Sequence, residues 1–254
     1  MQLHAQVIGE GTPFVILHGF LGMSDNWKTL GNEFSEAGYQ VHLVDQRNHG
    51  RSFHSETFGY KAMAEDLKAY CDTHQLDEII LMGHSMGGKT AMQFAVDHPE
   101  KVSRLIVADI GPKAYPPHHQ DILKGLSSLD FNKISSRGEA DEVLSEYIPQ
   151  KGVRQFLLKN LYWVEKGKLA LRMNLPVLVE KYDAVGEALA ENATFEKATL
   201  FIKGEQSGYI LPVDELLISK HFPKAQFKTV SKAGHWLHAE NPSEFYEKIM
   251  EFLS

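Results

Sequence analysis

Short apolar segments alternate along the chain with segments in which apolar residues recur every three or four positions. Continuous apolar runs bounded by turn residues are typical of parallel strands covered on both faces, and the wider spacing is typical of helices with one buried face. The six predicted strands are 13–19, 39–45, 78–83, 104–110, 198–204 and 225–231. The segment 2–9 is a further candidate.

Amphipathic helices are predicted between these strands. The apolar sets at helical spacing are Trp27, Leu30 and Phe34; Met63, Leu67, Tyr70 and Cys71; and Ala91, Phe94 and Ala95. A last helix is predicted after Asn241 as N-cap, with Pro242 at its first position. Alternating strands and helices predict crossover connections and a mostly parallel central sheet flanked by helices, which is the α/β class. Functional groups in such sheets collect at the carboxyl ends of the strands.

Residues 113–192 interrupt this alternation, because their pattern is helical and contains no convincing strand. Such a segment is too long for a single crossover connection. We predict a core formed by 1–112 and 193–254, with 113–192 as a helical insertion that lies over the sheet edge as a lid. The alternative is a set of extra helices packed on the flank of the core.

The composition narrows the class of protein. The 254 residues are 43% hydrophobic and 23% charged, which is ordinary for a globular chain. A formal net charge of −7 argues against nucleic acid or an anionic membrane surface as the main partner. The single cysteine excludes an internal disulfide, and neither a secretory signal nor a membrane-spanning stretch is visible. We expect a cytoplasmic protein without a membrane span.

The segment GHSMGG at 83–88 joins a predicted strand to a predicted helix. A G-x-S-x-G sequence in this context indicates a nucleophile elbow, whose sharp turn requires small neighbours such as Gly83 and Gly87. The turn presents the hydroxyl at the top of the sheet, beside the positive end of a helix. Ser85 is therefore the candidate nucleophile, and the alternative is a glycine-rich turn with an incidental serine.

A serine hydroxyl becomes a strong nucleophile only when a base takes its proton. His235, in AGHWLHAENP at 233–242, follows the last strand in a short loop and is the candidate base. His238, nearer the final helix, is its competitor. His118 and His119 begin the insertion and are expected to be exposed. Neither H-E-x-x-H nor a Cys/His cluster is present in the sequence, so no metal site is predicted.

An acid must orient the imidazole and stabilise its charged form. Asp109 ends an apolar strand, where packing gives no reason for an aspartate, and it is the first candidate. Glu205 is the alternative, because it follows the strand 198–204; position 207, where an aspartate is often found, is a serine. Asp45 is interpreted as structural, in a turn that it closes with Arg51. The chain order serine, acid, histidine is typical of α/β-hydrolases.

The tetrahedral intermediate of ester cleavage requires two backbone N–H donors at its oxyanion. Met86, which follows the candidate nucleophile, would supply one. Phe20, in the loop HGFLG at 18–22, would supply the other. The alternative for this loop is a simple glycine turn.

Five motifs together resemble the α/β-hydrolase superfamily: HGFLG, DQRNHGRS at 45–52, GHSMGG, VADIGP at 107–112 and AGHWLHAENP. They are most similar to those of the bacterial YbfF-type esterases and their mitochondrial relatives. That group also has serine where many relatives place aspartate, so the resemblance implies Asp109 as the acid. It further implies hydrolysis of short esters or of acyl-CoA thioesters, without a cofactor.

We therefore expect a serine hydrolase that cleaves small-molecule esters of short or medium acyl chain through an acyl-enzyme. The second hypothesis is an acyl-CoA thioesterase, for which basic residues of the insertion would bind CoA: Lys151, Arg154, Lys159, Lys166, Lys168 and Arg172. A C–C bond hydrolase, a perhydrolase and a non-catalytic ligand sensor are the remaining hypotheses, because the fold alone does not fix the reaction.

Overall fold

The computed structural model describes residues 2–254 and contains two sheets. The strands are β1 (Ala5–Ile8), β2 (Thr12–Leu17), β3 (Tyr39–Val44), β4 (Ile79–His84), β5 (Val102–Ala108), β6 (Leu161–Glu165), β7 (Lys168–Leu171), β8 (Thr199–Gly204) and β9 (Ala225–Val230). Seven of them form one sheet in the order β1-β3-β2-β4-β5-β8-β9. Strand β1 is antiparallel to β3, and the remaining pairs are parallel. The predicted α/β class is confirmed.

Helices connect the strands and flank the sheet. They are α1 (Lys28–Glu36), α2 (Tyr60–Thr73), α3 (Met86–Asp97), α4 (Gln120–Ser127), α5 (Arg137–Ser145), α6 (Lys151–Leu158), α7 (Leu175–Glu180), α8 (Asp214–His221), α9 (Leu237–Glu240) and α10 (Pro242–Leu253). The predicted cap of the last helix is present, since the Asn241 side chain accepts a hydrogen bond from the backbone of Glu244. Within residues 2–254, none of the helices combines the length and apolar character that crossing a bilayer requires.

The central strands are buried on both faces, which explains their continuous apolar sequences. Val15 and Leu17 of β2 pack on one side with residues of α2 and α3, including the fully buried Cys71. Phe14 and Ile16, which alternate with them, pack on the other side with residues of α1 and α10. Successive side chains of the strand thus point to opposite faces of the sheet, and each face has its own apolar layer.

The insertion differs from its prediction, because it contains a β-hairpin. The segment after α6 was expected to continue as helix, but α6 ends at Leu158 and the chain enters β6 at Leu161. Strands β6 and β7 pair in antiparallel fashion, and Gly167 adopts a φ of +84° in the turn between them. Aromatic and β-branched residues such as Trp163 and Val164 favour strand over helix, and glycine permits the tight turn.

A third apolar cluster joins the insertion to the core at the carboxyl edge of the sheet. Phe20, Leu21 and Met86 of the core share this cluster with residues of the insertion, among them Leu126 and Leu157. Loops that carry the predicted oxyanion donors are therefore packed directly beneath the insertion.

Lys89 of α3 forms hydrogen bonds with the chain segments at both ends of the insertion. The residue is buried, and its Nζ donates to the carbonyl oxygens of Lys113 (2.5 Å) and Glu187 (2.7 Å). The two chain segments also bond to each other, from Leu189 N to Pro112 O at 2.8 Å. Burial lowers the pKa of Lys89 to about 7. The insertion thus leaves and re-enters the core through one hydrogen-bonded stem.

Candidate active site

Ser85 lies in the sharp turn between β4 and α3. Its backbone has a φ of +53° and a ψ of −119°, a conformation that L-residues rarely adopt. A Cβ added at Gly83 would lie 2.1 Å from the carbonyl oxygen of Gly87, and one at Gly87 would lie 2.4 Å from that of Leu17. Glycine is therefore required on both sides of the serine.

Three residues from distant parts of the chain meet above this edge of the sheet. The Nε2 atom of His235 lies 3.0 Å from Ser85 Oγ, where it can accept the hydroxyl proton. The Nδ1 atom of the same ring lies 2.7 Å from Asp109 Oδ2 and donates to it. The structure thus brings together the three residues that the sequence analysis selected as candidate nucleophile, base and acid.

Asp109 follows β5 and is completely buried, with a φ of +51°. Burial raises the pKa of its carboxyl to about 7, while hydrogen bonds from Ser207 and the Gly204 amide act in the opposite direction. Ser207 Oγ donates to Oδ2 at 2.5 Å, and the Gly204 N–H donates to Oδ1 at 3.2 Å. Both carboxylate oxygens are therefore held, and the plane of the carboxyl group is fixed.

Glu205, the alternative acid, has a different role. Its Oε2 accepts a hydrogen bond from the exposed backbone N–H of Lys232 at 2.8 Å. Ser207 occupies the position where an aspartate is often found in relatives. Its hydroxyl donates a hydrogen bond to the carboxylate of Asp109. Of the two acids, only Asp109 contacts the His235 ring.

The His235 ring is held from several sides. Tyr209 stacks on it with a centroid separation of 3.9 Å and an interplanar angle of 13°. The His84 ring donates from Nε2 to the His235 carbonyl at 2.8 Å. Burial lowers the pKa of His235, and the nearby His118 acts in the same direction. The ring is therefore neutral near pH 7, as a base must be.

His238, the competing histidine, is a packed residue. Its ring stacks on Trp27 at 4.2 Å with an interplanar angle of 10°. Burial holds the pKa of His238 well below 6.5. The His84 ring lies 4.8 Å from that of His235 and 4.6 Å from that of His238, so it stands between the two.

The predicted oxyanion donors belong to two segments close to Ser85, the start of α3 and the turn Gly19–Gly22. Met86 is the first residue of α3, where backbone N–H groups have no acceptor within the helix. Phe20 lies in a turn closed by a hydrogen bond from Gly22 N to Gly19 O at 3.0 Å. A Cβ added at Gly19 would lie only 3.4 Å from Ser85 Cβ. The main chain of this turn therefore passes directly beside the candidate nucleophile.

Asp45 closes a structural turn, in agreement with its interpretation from sequence. Its Oδ1 accepts from the Ser24 N–H at 2.6 Å, and its Oδ2 accepts from the Arg51 N–H at 2.8 Å. The guanidinium of Arg51 turns outward and pairs with Asp25 at 3.1 Å.

Two clefts meet at Ser85, which lines both of them. His119 lines both of them, which corrects the expectation that it is exposed. Its Nδ1 lies 2.8 Å from the Tyr182 hydroxyl, and its ring contacts Phe20 edge-on at 5.6 Å. Sequence reasoning missed Tyr209, because only the tertiary fold brings this residue beside His235.

The described part of the chain contains no cluster of three or more metal-ligating side chains. The polar groups around Ser85 are instead joined to one another and to the backbone.

Comparisons with known proteins agree with this geometry. A family model described as the alpha/beta hydrolase fold matches residues 12–134. A mouse (Mus musculus) sn-1-specific diacylglycerol lipase, ABHD11, is 36% identical over 94% of this chain and 80% of its own length. Esterase YbfF of Escherichia coli is 31% identical over 98% of this chain and 96% of its own. The chain belongs to the α/β-hydrolase family.

Within that family, the chain is an ester hydrolase of the esterase/lipase type. A marine microorganism esterase of known structure has a TM-score of 0.95 and 40% identity, covering 99% of each chain. The YbfF-like character suggested by the motifs is confirmed. These esterase and lipase relatives do not favour the thioesterase hypothesis.

Proposed function

We propose that this protein hydrolyses small carboxylic esters through an acyl-enzyme formed on Ser85, with His235 as base and Asp109 as its orienting acid. The observation that carries the proposal is the unbroken contact from Asp109 to His235 (2.7 Å) and from His235 to Ser85 (3.0 Å). The same line of contacts, from acid to histidine to serine, performs acyl transfer on several unrelated folds, whatever the order of the residues along the chain.

Acylation begins when Ser85 Oγ attacks the ester carbonyl carbon and its proton passes to His235 Nε2. The carbonyl oxygen becomes an oxyanion, which the backbone N–H groups of Phe20 and Met86 stabilise. His235 then gives its proton to the departing alkoxide, so an alcohol leaves and the acyl group remains on Ser85. Asp109 holds the ring in the tautomer that keeps Nε2 free to accept a proton.

Deacylation repeats these steps with water. His235 accepts a proton from water as the oxygen attacks the acyl carbon, and the proton then returns to Ser85 Oγ. The carboxylic acid is released and the serine hydroxyl is restored, so the cycle consumes one water for each ester.

The two clefts that meet at Ser85 suggest that the acyl and alcohol portions occupy separate spaces. Apolar side chains such as Ile122 and Phe156 line the first cleft, which suits an acyl chain, and the resemblance to hydrolases of short esters leads us to expect one of short or medium length. We further propose that residues 113–192 act as the lid over these clefts, because Phe156 and Leu157 line the first and Val185 lines the second.

Ser85→Ala tests the proposal with p-nitrophenyl acetate and butyrate as substrates. We expect turnover to fall by several orders of magnitude, because the variant lacks the attacking oxygen. Ser145→Ala, at an exposed serine of α5, is the matched control and should retain full activity. Unchanged turnover of Ser85→Ala would overturn the proposal. A series of p-nitrophenyl and CoA esters of increasing chain length would then define the acyl group and compare esters with thioesters.

A further inference from the structure

The turn that carries the Phe20 N–H contains a strained residue. Leu21 occupies the third position of the turn Gly19–Gly22, and its φ is +61°. That position and conformation favour glycine, and holding another residue there costs on the order of 1 kcal/mol or more. Leu21 is nevertheless buried in the apolar cluster shared with the insertion. Other contacts must therefore hold the backbone of this turn.

Two side chains hold Leu21 from opposite sides. The Leu21 N–H donates to His49 Nε2 at 3.2 Å, and the His49 ring is fixed by a contact of 3.0 Å between its Nδ1 and the Arg47 carbonyl. The Leu21 carbonyl accepts a hydrogen bond from Asn160 Nδ2 at 2.8 Å. His49 belongs to the core, whereas Asn160 belongs to the insertion.

Asn160 is itself held rigidly. It is 1% exposed and lies where α6 gives way to β6. Arg137 donates to the carbonyls on either side, at Leu158 (2.6 Å) and Leu161 (2.7 Å). The Asn160 carbonyl accepts from the Arg172 N–H at 2.9 Å. The side-chain amide is thus presented to Leu21 from a fixed backbone.

We infer that Asn160 is a positioning residue for the oxyanion site, acting through the Leu21 carbonyl to hold the Phe20 N–H in place. The inference rests on the proposed function, because it concerns stabilisation of the oxyanion formed by attack of Ser85. A donor aimed at the developing charge is effective only at short distance, and small displacements weaken it strongly. The docked insertion therefore completes the catalytic geometry of the core.

Asn160→Ala and Asn160→Asp test this role. The aspartate has nearly the same size but cannot donate to the Leu21 carbonyl when ionised. Asn174→Ala is the matched control, because Asn174 also joins the insertion to the core, from Nδ2 to Asn48 Oδ1 at 3.1 Å, without contacting the turn. Each variant is assayed for kcat and KM with p-nitrophenyl butyrate. Its affinity for an alkyl trifluoromethyl ketone, which forms an oxyanion on the serine, is compared with that for the matching methyl ketone.

We expect both Asn160 variants to lower kcat and trifluoromethyl ketone affinity by about 10-fold or more, since loss of a whole oxyanion donor costs about 100- to 1,000-fold. Methyl ketone affinity and the Asn174→Ala values should change less than 2-fold.

The inference would be overturned if the Asn160 variants lost equal affinity for both ketones, or if Asn174→Ala lost as much kcat and trifluoromethyl ketone affinity as they do. It would also be overturned if Asn160→Asp were as active as the wild type, or if this variant did not fold. Failure of the proposed function itself would look different, because Ser85→Ala would then retain activity.

Discussion

Asp109 is the residue where sequence and structure are most informative together. Its strand-end position selected it, and the structure surrounds its carboxylate with donors from His235, Ser207 and Gly204. Glu205 lies only four positions before Tyr209, which stacks on the His235 ring. Its carboxylate nevertheless accepts a hydrogen bond from the backbone N–H of Lys232 instead of contacting that ring. The two candidate acids therefore lie in quite different environments.

Asp109→Asn should lower kcat for p-nitrophenyl butyrate by about 10³- to 10⁴-fold, because the amide favours the wrong imidazole tautomer. Glu205→Gln should remain within about 2-fold of the wild type, since its contact is exposed and distant from the reacting atoms. Steady-state kinetics of the two variants shows which of the two residues acts as the acid. A larger loss in Glu205→Gln would transfer the acid role to that residue.

The pH dependence follows from the burial of His235. Because burial lowers the pKa of His235, the neutral base is present above that lowered pKa and is lost as the pH falls through it. We expect kcat/KM to rise with pH, with its midpoint below the ordinary histidine value of about 6.5, and to level off by pH 7. Initial rates at low substrate between pH 4 and 8 measure this midpoint. A midpoint above pH 7 would contradict the assignment of the base.

The active residues differ in how far the sequence reveals them. Ser85 and His235 lie in short motifs whose glycines and strand ends are visible locally. Tyr209 and Asn160 reach the site only through tertiary contacts, and neither lies in a recognisable motif. The sequence therefore predicts the candidate reacting groups but not the residues that surround them in the fold.

At the scale of elements, the sheet was predictable and the insertion was less so. Strands buried on both faces appear as continuous apolar runs, and all six predicted strands are present. The hairpin β6–β7 was missed because it is short and directly follows the amphipathic helix α6. Its outer residues, such as Trp163 at 51% exposure, face away from any core and leave no clear alternation.

The stem of the insertion depends on Lys89, which gives a prediction about stability. Lys89→Met removes the donor for two carbonyls, and an unpaired buried polar group costs about 1–3 kcal/mol. We expect the free energy of unfolding to fall by about 2 kcal/mol or more, measured by urea denaturation at pH 8. Lys61→Met, at an exposed lysine of α2, should change it by about 0.5 kcal/mol or less. Equal stability of the two variants would contradict the role assigned to Lys89.

At the scale of the whole molecule, the buried histidines predict how stability depends on pH. Burial lowers the pKa of seven of them: His18, His42, His49, His84, His119, His235 and His238. The pKa of His42 falls to about 4, and that of His49 and His84 to about 3. These rings stay neutral in the folded chain under conditions that protonate them in the unfolded chain.

The unfolded state therefore binds more protons below pH 6.5, and the folded state loses stability as the pH falls from there towards 4. Each such histidine contributes about 1.4 kcal/mol per pH unit within that window. We expect the urea midpoint to be nearly constant between pH 7 and 8 and to fall steeply between pH 6.5 and 5. A constant midpoint down to pH 5 would show that these rings are not held neutral.

The fold as a whole places one reactive edge of the sheet beneath the insertion. The core supplies Ser85, Asp109 and His235, while Asn160 and part of the lining of both clefts come from the insertion. The resemblance to a marine microorganism esterase extends over 99% of the chain, so the insertion belongs to the shared architecture as much as the sheet does.

The most direct test is to trap the acyl-enzyme. Wild-type protein is mixed with p-nitrophenyl butyrate, quenched in acid within milliseconds and analysed by intact mass and peptide mapping, beside Ser85→Ala. We predict one butyryl group per chain on the peptide that contains Ser85 and none on the variant. Butyrylation of a different residue, or equal labelling of Ser85→Ala, would contradict the account.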